Sequence, residues 1–234
     1  MNDREKLGDN AIHTDSKALK RIENFWYHYK WPTIIVCFFA IVVIVCTMQI
    51  CNKKSYDMTV VYAGPYHMDS DKASNIKSVL NYVIPEDFDG DGEKSTELIS
   101  YMIYTKEQIE KLEAESSQFV DRAYVSSENQ NFFNFASTEA GICFLDPSLY
   151  QTLKESDRLI SISGLLGYTP EGIIDDNGMR LSDMQIYKEY TVLQDMPADT
   201  VVCMLRKQLT KKDDVYKNEL DTFEAIIEFN SAEK

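Results

Sequence analysis

Residues 34–51 (IIVCFFAIVVIVCTMQIC) carry no charge, and Thr47 and Gln49 are their only strongly polar positions. Taken back through Pro32 the stretch reaches about 20 residues, enough as a helix to cross ~30 Å of hydrocarbon. Beyond it the apolar residues come in shorter rhythms. Residues 58–63 (MTVVYA) are a β-prone run that closes on Gly64-Pro65. Ile76, Val79, Leu80 and Val83 then recur at helical spacing until Pro85 ends the pattern. Residues 98–105 (LISYMIYT) predict a second strand, and Ile109, Leu112, Phe119 and Val120 a helix over 107–123. A helix over 129–136, a strand over 140–145 and a helix over 147–154, opened by Pro147, follow.

The last third is less regular. Residues 159–162 and 190–193 predict short strands, Asp175-Asp176-Asn177-Gly178 a turn, and 199–205 (DTVVCML) a strand with a Thr-Val-Val core. A final helix capped by Asp213 or Asp214 carries Val215, Leu220, Phe223, Ile226 and Ile227. Strand and helix alternate, so the expected class is α/β: one N-terminal transmembrane helix, then one extracytoplasmic domain with a mainly parallel sheet flanked by helices. The expected divisions are a cytoplasmic tail (1–31), the span (32–51) and the domain (52–234). The strand at residue 58 starts only a few residues beyond the span, which places the domain near the bilayer.

Charge orients the chain. Six Lys or Arg precede the apolar run and only Lys53 and Lys54 follow closely, so the positive-inside bias puts the N-terminus in the cytoplasm. Phe25, Trp26, Tyr27, Tyr29 and Trp31 crowd the leading flank with Lys30, as rings and a lysine do at headgroup level. Leu19, Ile22, Trp26 and Tyr29 are spaced for an amphipathic helix along the inner leaflet, and equally for a simple extension of the span. The residues after the run (CTMQICNKKS) offer no small-x-small cleavage site, so retention as a signal anchor is expected. Residues 52–234 hold 18 basic against 33 acidic side chains, a net of −15, which argues against nucleic acid as a partner. Of five cysteines only Cys143 and Cys203 fall in this domain, each within an apolar run. Two cannot make a disulfide framework; a single bridge and buried thiols are both open.

One short motif carries metal chemistry. Asp87-Phe88-Asp89-Gly90-Asp91-Gly92 sets carboxylates at alternate positions before glycine, like the first half of an EF-hand loop, where alternate side chains converge on a hard cation. Asp87, Asp89, Asp91 and Glu93 are the candidate calcium ligands. Counting from Asp87, position twelve is Leu98 rather than a bidentate acid, so a plain acidic turn is the competing reading. Catalytic sets are scarce: His67 is the one histidine beyond the span, beside Met68, Asp69 and Ser70 in a polar loop, and no P-loop or G-x-S-x-G elbow occurs. No catalysis is expected.

In a parallel sheet, ligands collect beyond the carboxyl ends of the strands. That rule points to Gly64, Pro65 and Tyr66 after the first strand, Tyr104 and Thr105 after the second and Asp146 after the third, and Gly64, Tyr66, Tyr104 and Asp146 are the nominated ligand-binding residues. Each also has a structural role to fill: a turn at Gly64, ring packing at Tyr66 and Tyr104, a helix N-cap at Asp146.

The element order around NFFNFASTEAGICFLDPSLYQTLKESDRLISIS resembles that of type II periplasmic-binding proteins over residues 57–205. The resemblance implies a reduced, one-lobed version in which the strand end and the acid after it, Asp146 here, face a ligand. FWYHYKWPTII resembles the juxtamembrane segment of uncharacterised single-pass membrane proteins of Gram-positive anaerobes. The expected function is a membrane-anchored extracytoplasmic module that binds a small ligand or an envelope partner. The alternative is a structural or accessory subunit of a membrane protein complex.

Overall fold

The computed structural model describes residues 17–51, 56–116, 120–139, 141–209 and 211–230. The tail before Lys17, the side chains of residues 17–24, Lys53, Lys54, Phe119 and Ala140 lie outside the described residues. The chain divides into two compact units, Met1–Lys54 and Ser55–Lys234.

The first unit contains helix α1 (Lys17–Cys51). Its backbone is continuous through the aromatic flank, so that flank extends the apolar helix. Phe25–Met48 have a mean hydropathy of 2.5 and are long and apolar enough to span a membrane. Pro32 inside the helix withdraws one N–H from the ladder, and Thr47 Oγ1 donates back to Val43 O at 2.7 Å.

The second unit is built from β1 (Met58–Gly64), α2 (Ser70–Val83), β2 (Thr96–Met102), α3 (Lys106–Ser116), α4 (Arg122–Thr138), β3 (Ile142–Leu145), α5 (Pro147–Glu155), α6 (Ile162–Leu166), β4 (Ile173–Asp175), β5 (Gly178–Arg180), α7 (Gln185–Glu189), β6 (Val201–Met204) and α8 (Asp213–Ile227). The six strands form one sheet in the order β2-β1-β3-β6-β5-β4. β1 runs parallel to both β2 and β3, through Met58↔Thr96 and Val60↔Ile142. β6 is antiparallel to β3 and β5, and β4 is antiparallel to β5.

The sheet is therefore mixed, against the expectation of a mainly parallel one. Helical crossovers supply the parallel half. In the other half the chain returns through a tight hairpin at Asp176-Asn177 and short helical turns, which join strands of opposite direction. The expected strand over 159–162 reduces to a bridge between Leu159 and Leu205 followed by α6, and 190–193 form a 3-10 turn, Thr191–Asp195.

Alternate residues of the central strands enter two cores. On one face Val60, Tyr62, Phe144 and Val202 meet Ile76 and Leu80 of α2 and Phe223 and Ile226 of α8. On the other Val61, Ala63, Cys143, Leu145 and Cys203 meet Phe132 and Ala136 of α4 and Leu149, Tyr150 and Leu153 of α5. The unit is a three-layer α/β/α arrangement. In place of the one helix expected over 107–123, α3 is described to Ser116 and a separate helix starts at Arg122, capped by Asp121, which accepts from Ala123 N at 3.0 Å and Tyr124 N at 3.1 Å. The last helix begins at Asp213 with Lys212 as its N-cap residue. Asp213 and Asp214 therefore sit in the first turn, where the helix dipole favours them, rather than capping it.

One acid breaks the apolar face of α8. Glu219 is 2% exposed, and its Oε1 accepts from Lys211 Nζ at 2.6 Å. Burial lifts its carboxyl from the ordinary 4.5 to about 7, against the pull of Lys211 and with a push from Glu139. Between those values the folded state holds a proton that the unfolded state has released, so stability falls as pH rises through the window. Glu219→Gln removes the dependence. Urea unfolding of a Ser55–Lys234 fragment should show wild type losing about 2–3 kcal/mol relative to the variant between pH 4.5 and pH 8; a pH-independent gap would contradict the assignment.

Candidate functional site

The carboxyl ends of β1, β2 and β3 lie side by side. Ile103 N donates to Gly64 O at 3.0 Å and Asp146 N to Ala63 O at 2.8 Å, so the chain leaves β2 and β3 pinned to the end of β1. Thr105 and Gln108 then start α3 as a capping box. Gln108 N donates to Thr105 Oγ1 at 3.2 Å, and Thr105 N donates to Gln108 Oε1 at 2.7 Å. The amide of Gln108 also donates to Asp146 Oδ2 at 3.0 Å. Asp146 Oδ1 caps α5 by accepting from Ser148 N at 2.9 Å and Ser148 Oγ at 2.6 Å. This small polar network fixes two helix starts at one edge of the sheet.

Tyr104, between β2 and α3, adjoins it. Three cavities, of about 240, 290 and 220 Å³, all touch this ring. The first is largely apolar, with Met102, Leu112, Tyr124 and Val125. The second is bounded by Pro65, Gln108 and Lys111, and the third by Asn129, Asp146 and Ser148. Partial burial raises the Tyr104 phenol above its ordinary pKa, so the hydroxyl stays protonated at neutral pH. The arrangement offers an aromatic face with hydrogen-bonding groups on one side and hydrocarbon on the other, which suits binding.

Of the four residues nominated from sequence, Tyr104 and Asp146 meet at the third cavity, and Gly64 and Tyr66 line none of the three. Gly64 is buried beneath Tyr62, whose hydroxyl would lie 2.7 Å from an added Cβ. Tyr66 N donates to that hydroxyl at 2.9 Å, and the Tyr66 ring packs edge-on to Tyr62 with Lys72 Nζ 5.0 Å above it. Gln108 and Asn129 are additional lining residues. The T-x-x-Q spacing at Thr105 and Gln108 was the sequence signal for the first; Asn129, mid-helix in α4, has none.

The acidic loop lies at the opposite, amino end of β1. Asp87 Oδ1 accepts from Gly90 N at 2.7 Å and Oδ2 from Gly92 N at 2.8 Å; these contacts, led by Gly92, hold its carboxyl below the ordinary range. Gly90 and Gly92 have φ of +74° and +95°, the left-handed turn that lets the loop curl around Asp87. Asp57, 5% exposed, reaches in from the start of β1. Its Oδ1 accepts from Phe88 N at 2.6 Å and Asp89 N at 3.1 Å, and its Oδ2 from Ser95 N at 2.7 Å.

One oxygen each of Asp57, Asp87 and Asp89 lies within 4.8 Å of the others, a grouping that could hold a cation. Asp91 and Glu93 stand outside it; Asp91 Oδ1 accepts from Glu93 N at 2.9 Å. Asp57 thus supplies a carboxylate from 30 residues upstream of the motif, a distance in sequence that no loop template covers. His67 is exposed in the loop after β1. Burial raises the thiol pKa values of Cys143 and Cys203, which keeps both as poor nucleophiles.

No family model, no curated protein and no solved structure matches the chain.

Asp57 fastens the loop whether or not a cation enters. Replacing it with alanine leaves three backbone N–H groups without their acceptor, and should destabilise the Ser55–Lys234 fragment by about 2–4 kcal/mol in urea unfolding. A loss under 1 kcal/mol would show that solvent replaces the carboxylate at little cost.

Proposed function

We propose that residues 55–234 are a non-catalytic binding module that takes a small ligand or an envelope partner at the carboxyl ends of β1, β2 and β3, and that α1 anchors the module in a cell membrane with its N-terminus in the cytoplasm. The observation that carries this reading is the convergence of three cavities on Tyr104 at the strand ends, where open α/β sheets receive their ligands. The likeness in element order to one lobe of type II periplasmic-binding proteins supports it, as do the length and apolarity of Phe25–Met48.

The test is thermal denaturation of the full chain in lipid nanodiscs against a panel of metabolites and cell-wall fragments. A ligand at 100 times its Kd stabilises the folded state by about 2.7 kcal/mol. A hit in wild type should lose at least tenfold in affinity in Tyr104→Ala and retain its affinity in Tyr168→Ala, a ring remote in sequence from the site. No hit, with a stoichiometric partner crosslinked in the membrane, would favour the accessory-subunit reading instead.

Asp57, Asp87 and Asp89 support a second, separate reading, in which a calcium ion braces the 84–95 loop. Oxygen-only ligands suit this hard cation. Calcium titrated into the Ser55–Lys234 fragment by calorimetry should bind with a weak, millimolar Kd, because no bidentate acid closes the loop. Asp89→Ala should abolish the heat; an unchanged isotherm would remove the site.

A further inference from the structure

We propose that Cys143 and Cys203 are a redox couple, convertible between two thiols and a disulfide that crosses the β3–β6 seam. The two are direct cross-strand partners in an antiparallel pair, so their side chains share one face of the sheet. Two residues along the same ladder, Leu205 N donates to Gly141 O at 3.0 Å. That contact puts the cysteines in the hydrogen-bonded register, where opposed Cα atoms lie about 5.5 Å apart. Disulfides span Cα separations of roughly 4.4–6.8 Å. Directly opposed Cβ atoms lie about 4.5–5.5 Å apart, so the ladder must tighten by up to about 1 Å to reach the roughly 3.5–4.5 Å of a disulfide.

Across the sheet the row reads Val61, Cys143, Cys203, Gly178. Gly178 carries no side chain toward Cys203, and the Tyr150 ring occupies the vacant place: a Cβ there would come within 2.6 Å of it. Both cysteines are fully buried, under the α5 side chains Tyr150 and Leu153. Burial raises both thiol pKa values, with Glu219 adding to the rise at Cys143 and with Cys143 and Asp175 adding to it at Cys203. Little thiolate therefore forms in the closed fold, and exchange requires α5 to lift or takes place before it settles over the row.

The chemistry is ordinary thiol–disulfide exchange with an external disulfide, such as oxidised glutathione or a thiol–disulfide oxidoreductase. One cysteine thiolate attacks the external sulfur and releases one thiol. The second cysteine then attacks the mixed disulfide, forms the Cys143–Cys203 bond and releases the other thiol. Two thiol hydrogens leave the chain, and the external disulfide is reduced to two thiols. The bond closes a loop of about 60 residues that includes α5, α6, α7 and the β4–β5 hairpin.

The experiment uses the full chain, purified from membranes and incubated with oxidised glutathione in mild denaturant. After return to buffer the remaining thiols are blocked with N-ethylmaleimide under full denaturation, and the digest is analysed by mass spectrometry. The expected product is the Cys143 peptide joined to the Cys203 peptide and two hydrogens lighter, with Cys37, Cys46 and Cys51 alkylated. Reduction should then lower the melting temperature by about 5–10 °C, and a Cys143→Ala/Cys203→Ala variant should show no such drop. Recovery of both cysteines as alkylated thiols or as glutathione adducts, or bridges to the N-terminal cysteines, would overturn the proposal. If the double variant does not fold, the mass of the unsubstituted chain still decides.

Discussion

The domain depends on burying one strand on both faces. Six of the seven residues of β1 are buried, and Val60 and Val61 are wholly inaccessible though they point to opposite sides. A strand of this kind needs a helical layer above and another below, and a neighbour along each edge. α2 and α8 cover one side and α4 and α5 the other, while β2 and β3 flank it. With both faces and both edges committed, polar chemistry has room only at the two ends of the strand.

Those ends are finished in opposite ways. At the amino end Asp57 gathers three N–H groups and closes the 84–95 loop into a corner. At the carboxyl end the chain exits β2 and β3 into two helix starts, and the polar groups that begin those helices, Thr105, Gln108 and Asp146, bond to one another. That junction holds the backbone still and leaves Tyr104 at the meeting point of three open volumes. Fixed backbone beside a half-buried ring is the combination on which the proposed binding site at the carboxyl end rests.

Much of this could be read in the residues. The β1 run, the α2 periodicity ending at Pro85, Pro147 at the head of α5 and the Thr-Val-Val core of β6 depend on local rules, and the structure follows them. The mixed direction of the sheet was not legible, because strand polarity follows from how the 156–200 segment returns, and its short apolar stretches suit a 3-10 turn or a bridge as well as a strand. Asp121 shows the same limit at smaller scale: its N-cap signal sits inside what hydrophobic spacing alone reads as one long helix. At the strand ends β1, β2 and β3 are parallel, as the rule for nominating Tyr104 and Asp146 assumed, and the two residues line one cavity there. Asp57 escaped notice because its partners are brought to it by tertiary folding. The pairing of Cys143 with Cys203 likewise needs a register, which two separated apolar runs do not reveal.

The order of the elements has a consequence for how the domain comes into being. β1 emerges early, yet its second edge partner, β3, arrives about 80 residues later, and the β3–β6 seam joins positions about 60 residues apart. α8, which roofs the Tyr62 and Phe144 side, comes later still. Until then α2 roofs only part of that side. Contacts so distant in sequence form slowly, and the Tyr62 and Phe144 side is fully roofed only once α8 packs on it.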